Sequence, residues 1–367
     1  MNVNSFEKFG SYGQEDVIFL LKDLSKVSLE GSAEDREKDI QSGQHYSETL
    51  PLEYNPPENY LQLFWETLHE YKEKVAFCVA VVAEQIYRNK GDKTVLVSLA
   101  RAGTPIAILV KRYIEKKYNV SLPHYSISII RDRGIDENAI VHILQKHRGY
   151  CLQFMDGWTG KGAISRELSK ACTIFSQKYG VVLDDTLAVL ADPGYCTNLY
   201  GTREDFLIPS ACLNSTVSGL ISRTVLNHLY ISPLDFHGAK FYRELLPFDV
   251  SNQYIDIIAS QFPNLIEQEI EEVRVKNQYN QMADFRGMEE VLRIQAEFNI
   301  DSTNYVKPGV GETTRVLLRR VPWKILMKDT ESPYVHHIKM LAEERGVEVI
   351  SYPNMSYTCC GLIKKVV

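Results

Sequence analysis

Between residues 94 and 191, short continuously apolar runs alternate with stretches whose apolar residues recur at three- and four-residue spacing. Runs of the first kind read as strands and stretches of the second kind as helices. The pattern predicts strands over 94–99, 125–130, 150–155 and 186–191, with helices over 106–117, 137–146 and 163–178 between them. Such alternation builds a parallel sheet with helices on both faces, because right-handed crossovers carry the chain back over the sheet. Consecutive apolar positions within a strand agree, since a central parallel strand is covered on both sides. The expected fold class is α/β.

The flanks are less regular. Val17, Ile18, Leu20, Leu21 and Leu24 share the spacing of an amphipathic helix over 14–24, and the polar stretch 30–43 reads as an exposed loop. A helix over 60–87 is apolar all round at Val75–Ala83, so it is expected to be buried on most sides. Beyond 191 the pattern predicts a strand over 206–213, a helix opening at 214–219 and running to 229, and mostly helix over 263–299. Lys307-Pro308-Gly309 marks a boundary. A small αβ tail follows, with strands over 323–327 and 347–352, a helix over 334–345 and a short closing helix over 356–362. The expected division is an N-terminal extension over 1–90, a core over 91–306 and a tail over 307–367.

Ligands of a parallel sheet bind beyond the carboxyl ends of its strands. Each predicted strand runs into polar chemistry there. The first leads to Arg101-Ala102-Gly103-Thr104, the second to Arg131-Asp132-Arg133, the third to Asp156-Gly157 and the fourth to Asp192-Pro193-Gly194. The third is the most informative. Asp156 passes into Gly157-Trp158-Thr159-Gly160-Lys161-Gly162, and a helix follows. Glycines let a ligand approach backbone N–H groups, and the helix N-terminus adds partial positive charge, so the segment has the makings of an anion cradle. The plain alternative is a βα turn with glycines for geometry. Ser215 and Thr216 mark a second such turn, for which an ordinary helix cap is the simpler explanation.

Composition narrows the class. Hydrophobic residues make up 44% and charged residues 24% of 367 positions, as in a globular protein. The net charge of −6 argues against nonspecific nucleic-acid binding by the whole molecule, yet from Lys307 onward ten Lys/Arg face six Asp/Glu. A basic tail on an acidic body fits a module with its own partner, or simply a solvated face. The seven cysteines show no C-x-x-C spacing, so neither a zinc site nor a disulfide framework is expected. No signal peptide or membrane span is read, and the expected location is cytoplasmic.

The 94–191 block resembles the core of the type I phosphoribosyltransferases, in which an Arg/Gly loop holds pyrophosphate and an acidic strand end with a Thr-Gly loop holds ribose 5-phosphate. The family usually has two adjacent carboxylates and a longer loop; here Gly157 replaces one of them. The tail resembles a pelota-type RNA-binding domain, in its Glu343-Glu344-Arg345-Gly346-Val347 helix end, its Tyr352-Pro353 turn and its closing Cys-Gly segment. With Gly10-Ser11-Tyr12 and His45-Tyr46-Ser47-Glu48 upstream, the chain resembles a family encoded in tellurite-resistance clusters. The N-terminal domain of that family is described both as phosphoribosyltransferase-like and as the cysteine protease StiP.

The resemblance implies glycosyl transfer with phosphoribosyl pyrophosphate or a nucleotide-like ligand. Asp156, Arg101 and Arg131 would be catalytic. Ala102, Gly103, Thr104, Gly157, Thr159, Gly160, Lys161 and Gly162 would hold phosphate and ribose, with Asp192, Ser215 and Thr216 as secondary candidates. Mg²⁺ would bridge the substrate to Asp156. The alternative is cysteine proteolysis, for which Cys212 and His237 are the best available pair, although a lone cysteine is more often a small buried hydrophobe. A third possibility is a non-enzymatic RNA-associated protein. Arg315, Arg319, Arg320 and Lys324 would then form one basic edge on a separable tail.

Overall fold

The computed structural model describes residues 8–32, 36, 43–279 and 283–364; most of the expected loop 30–43 lies outside them. The main sheet uses β1 (Ile18–Phe19), β2 (Thr94–Leu99), β3 (His124–Ile127), β4 (Cys151–Trp158), β5 (Ala188–Ala191) and β6 (Leu199–Thr202), in the order β1-β3-β2-β4-β5-β6. Every pairing in it is parallel. Helices α1 (Glu58–Lys90), α2 (Gly103–Tyr118), α3 (Glu137–Lys146) and α4 (Ala163–Tyr179) cover it. Val95, Val97, Phe154 and Val189 pack into one layer with Ile140, Leu168 and Phe175. Their neighbours Leu96, Met155 and Leu190 pack into the opposite layer with Val79, Ile106 and Leu109. The alternation along each strand therefore buries both faces, which is why the strands read as continuous apolar runs.

The chain moves to one side of β2 to form β3, then crosses to the other side to form β4. That reversal opens a crevice at the carboxyl ends of β2 and β4. Strand β4 also runs further than its apolar stretch suggests. Asp156 lies beside Val189 and Trp158 beside Ala191, so Asp156 and Gly157 are strand residues.

Helices α5 (Ser251–Ala259) and α6 (Glu267–Tyr279) follow, and then the C-terminal unit. The latter comprises α7 (Arg286–Glu297), β7 (Val306–Pro308), α8 (Val310–Arg319), β8 (Pro322–Met327), α9 (His336–Glu344), β9 (Glu348–Ser351) and β10 (Cys359–Ile363). Its four strands lie in the order β7-β10-β8-β9. Val291 and Ile294 of α7 pack with Val306, Leu326 and Leu362, so this unit begins well before the expected boundary at 307. Among the described residues no helix is long and apolar enough to cross a membrane.

Four local expectations fail. Residues 14–24 form no helix: Leu20 enters one core layer while Val17, Phe19 and Leu21 enter the other, and β1 joins the sheet edge beside β3. Residues 206–213 turn at Pro209, which lacks an N–H for a ladder, into a short 3₁₀ turn over Pro209–Cys212. The expected helix to 229 stops after Ser215–Val217, because Gly219 and Leu220 take left-handed φ values of 76° and 58°. The predicted closing helix is instead β10, whose Cys360 pairs with both Pro308 and Leu326.

The C-terminal unit is docked rather than tethered, and Ile325 and Ile338 belong to the main core. Asp205, after β6, is the principal clasp. Its carboxylate accepts the Val310 N–H at the start of α8 (2.9 Å) and the Thr358 N–H (2.8 Å). A carboxylate at a helix N-terminus is favourable. Burial, partly offset by these N–H groups, still raises its carboxyl to about 6. Tyr60 Oη donates to the Leu318 carbonyl and Tyr357 Oη to the Gly160 carbonyl. Asp205→Ala leaves two buried donors without acceptors and is expected to cost about 2–4 kcal/mol. Asp205→Asn, which keeps one acceptor, is expected to cost less. Thermal unfolding of the full chain measures both, and an unchanged melting temperature in Asp205→Ala would show that the clasp is dispensable.

Candidate functional site

The crevice at the switch between β2 and β4 holds a cavity of about 360 Å³, lined by Arg101, Asp156, Trp158, Phe206, Leu213 and Arg315 among others. A second chamber of about 330 Å³ continues past Trp158 and is lined by Arg131, Lys161, Arg223 and Lys307. A larger cavity of about 950 Å³ lies behind the β6 edge. Two of its cations are already engaged, however: Arg203 with Asp192, and Arg286 with Asp284 at 2.5 Å. The crevice is the better candidate, because its charged groups converge at strand ends.

Arg101 lies at the mouth. Its guanidinium donates to the Ile221 carbonyl at 3.1 Å and is 3.8 Å from Glu53. Asp156 lines the same cavity from β4. The removal of its carboxyl from water raises it to about 7, with only the Gly157 N–H pulling the other way. Ala102 and Gly157 also line the crevice. Gly103 does not; a Cβ there would come within 2.4 Å of the Met155 carbonyl, so this glycine serves the packing of α2 on β4. Thr104 is fully buried against Ser126 Oγ at 2.8 Å.

The loop after β4 carries more structure than a cradle needs. The Thr159 hydroxyl donates to Asp192, whose carboxylate also accepts the N–H groups of Cys196 and Thr197 and pairs with Arg203. Asp192 is thus the hub of a buried network. Gly160 lies against the Trp158 ring, and Gly162 has φ 73° and abuts Phe285. Lys161 Nζ donates to the Thr303 carbonyl at 2.6 Å, and its ammonium is lowered to about 8, first by burial and then by Lys307. Ser215 donates through both N–H and hydroxyl to Glu53, and Thr216 is buried, so both belong to the scaffold. Arg131 is exposed, with its guanidinium over the Tyr46 ring at 5.4 Å. Arg223, Lys307 and Arg315 lay outside the expected set. The basic excess from 307 onward, which includes the Arg315 expected in an RNA-binding edge, hinted at Lys307 and Arg315; nothing in the sequence marked Arg223, which the tertiary fold alone brings to the crevice.

A protein-held Mg²⁺ needs several oxygen ligands. Asp156 stands singly, and among the described residues no group of three metal-ligating side chains forms. The residues present do not fit such an ion, and no step is routed through one.

Cys212 and His237 have different surroundings. Cys212 is 1% exposed within the crevice wall, and its thiol, pushed up to about 12 by burial, lies beside Thr67. The His237 ring bonds Ser128 Oγ at 2.9 Å and its backbone N–H donates to Asp136, so the structure does not bring the two together. Cys78, Cys172, Cys196 and Cys360 are likewise pushed up to about 12, chiefly by burial.

Residues 10–259 match the family described as the tellurite-like stress resistance cysteine protease StiP. The chain belongs to the StiP family. Residues 285–365 match the PELOTA RNA binding domain, a span that agrees with the unit beginning at α7. A relative from Acinetobacter baylyi (strain ATCC 33305 / BD413 / ADP1) named "Cysteine protease StiP" is 34% identical over 367 residues, covering 97% of this chain and 94% of its own. These findings overturn the expectation of phosphoribosyl transfer. Family and relative alike are named as cysteine proteases, the alternative weighed from Cys212 and His237.

The carboxyl of Asp156 yields a pH prediction. Its folded value, about 7, lies above the ordinary 3.8. Its contribution to stability is therefore full below about 4 and lost as pH rises through about 7. Asp156→Asn is expected to flatten the fall in melting temperature between pH 4 and 8; an unaltered pH slope would mean that Asp156 is ionised and solvated throughout.

Proposed function

We propose that the chain is a cysteine protease whose substrate enters the crevice at the carboxyl ends of β2 and β4. Membership of the StiP family supports the activity. The observation that carries the location is the place of Cys212: Ala211 and Leu213, on either side of it, line the crevice. At rest the thiol is protonated and apart from a base, since burial pushes it to about 12 whereas reactive thiols lie lower. The Pro209–Cys212 turn must therefore re-seat when a peptide enters. The Cys212 sulfur then attacks the scissile carbonyl carbon, the C–N bond breaks, and the thiol proton leaves with the departing amine. Water hydrolyses the resulting thioester. Arg101 and Arg315, which line the crevice, offer positive charge to the developing oxyanion.

In a fluorogenic peptide assay with the full chain, Cys212→Ser is expected to abolish turnover. Cys151→Ser and Cys196→Ser are expected to retain it. Turnover that survives Cys212→Ser would assign the nucleophile elsewhere.

For the C-terminal unit we infer RNA contact, supported by the PELOTA match. The basic edge is smaller than expected. Arg319 donates to Asn214 Oδ1 and the Cys212 carbonyl, and Arg315 to the Ala211 carbonyl, so both serve docking. Arg320 and Trp323 remain exposed, with Lys324 Nζ 5.5 Å from the Trp323 ring. An exposed indole beside cations suits stacking on an unpaired base, worth ~1–3 kcal/mol. Trp323→Ala is expected to weaken binding of single-stranded RNA by about tenfold in a low-salt anisotropy titration. Equal affinity for the two proteins would remove Trp323 from the interface.

A further inference from the structure

The two chambers of the crevice are continuous, because Trp158, Ile164 and Glu312 line both. They differ in chemistry. The first presents apolar surface from Pro105, Trp158, Phe206 and Leu213. The second presents four cations, Arg131, Lys161, Arg223 and Lys307, against the single carboxylate of Glu312. That carboxylate pairs with Arg315 at 3.4 Å, and among the described residues none of the four cations takes part in a salt bridge. Arg131 rests on an aromatic ring and Lys161 on a backbone carbonyl. Both lysines are held below their ordinary range, chiefly by burial and despite the Glu312 carboxylate, which pulls both the other way; the Lys307 charge further lowers Lys161, and the Arg320, Arg131 and Arg223 charges further lower Lys307.

Like charges gathered in a partly desolvated chamber are costly until an anion neutralises them. Their persistence here therefore points to a ligand carrying several negative oxygens. The adjoining apolar chamber adds a second requirement that a small inorganic anion does not meet. A peptide meets both, with an apolar residue in one chamber and carboxylates in the next. This step rests on the proteolytic reading of the same crevice.

We propose that the crevice selects an acidic peptide segment, with its carboxylates among Arg131, Lys161, Arg223 and Lys307 and an adjacent apolar side chain against Trp158. The cations come from both parts of the chain, Lys307 from the C-terminal unit and the other three from the sheet domain. Selection therefore depends on the docked arrangement.

The test uses the full chain carrying Cys212→Ser, so that binding is read without cleavage. Fluorescence anisotropy compares a labelled peptide bearing a phenylalanine followed by four glutamates with its glutamine counterpart. The acidic peptide is expected to bind at least tenfold more tightly at low salt, with the preference shrinking as salt rises. Arg223→Glu with Lys307→Glu is expected to erase the preference; should that double variant fail to melt cooperatively, Arg223→Gln is expected to reduce it severalfold. Equal affinity for the two peptides, or a preference that survives charge reversal, overturns the proposal. So does displacement of neither peptide by the other while tripolyphosphate or single-stranded RNA binds in a manner sensitive to charge reversal. Cleavage is then measured separately on the chain with Cys212 intact. Acidic binding without cleavage sinks the protease reading alone, whereas cleavage without acidic preference sinks this proposal alone.

Discussion

The close approach of helix α2 to strand β4 is the constraint on which the rest of the molecule depends. A Cβ on Gly103 would lie 2.4 Å from the Met155 carbonyl oxygen and 2.9 Å from the Asp156 Cα, distances that only glycine permits. The approach continues at the adjoining residues, where a Cβ on Gly157 would lie 3.2 Å from the Ala102 carbonyl. Because helix and strand meet this tightly, the residues before the helix and near the end of the strand line one cavity. Arg101 and Asp156 thus owe their places in it to backbone packing.

The same economy of space ties the two matched regions together. A Cβ on Gly194 would lie 1.8 Å from the Gly160 carbonyl, and one on Gly287 would lie 2.0 Å from Tyr357 Oη. Tyr357 Oη in turn donates to that Gly160 carbonyl at 3.1 Å. Four segments, around Gly160, Gly194, Gly287 and Tyr357, therefore meet at the loop that follows β4. With Asp205 holding α8 and Thr358, the C-terminal unit becomes one wall of the crevice. Glycines that look like a ligand cradle in sequence are largely explained by this interlocking.

The contrast shows what the sequence carries. The strands expected at 94–99 and 150–155 and the helices expected at 106–117 and 137–146 were legible, the strands as short continuously apolar runs and the helices by their three- and four-residue spacing. The same reasoning failed at 14–24 and 356–362. At 14–24 the run Val17–Leu21 feeds both core layers, so its spacing imitates a helix, and 356–362 is too short and mixed to show a period. At 206–229, Pro209 and the left-handed Gly219 and Leu220 set the path, and side-chain pattern says little about such turns. Among the expected site residues, Arg101 and Asp156 line the first chamber and Lys161 the second, because they lie at or just beyond strand ends. Arg223 and Lys307 were missed because they reach the same cavity from segments without a regular pattern.

The burial that stabilises the crevice wall also sets the energetic condition for chemistry there. Ionising a thiol held at about 12 costs about 7 kcal/mol at neutral pH, at ~1.4 kcal/mol for each pH unit. A thiol so placed is unreactive until its surroundings change, and burial protects it from adventitious oxidation. The change required is local, since Pro209–Cys212 is a single 3₁₀ turn between the crevice and α1. Two of its carbonyl neighbours, those of Ala211 and Cys212, are held by Arg315 and Arg319 from α8. Those arginines therefore govern the turn from the C-terminal unit, and Arg315 also lines the crevice that a peptide would enter. A carboxylate arriving in the crevice competes with the Ala211 carbonyl for the Arg315 guanidinium, and charge-assisted bonds are about twice as strong as neutral ones. Loss of that bond frees the turn that carries Cys212, so binding and activation of the thiol would share one residue.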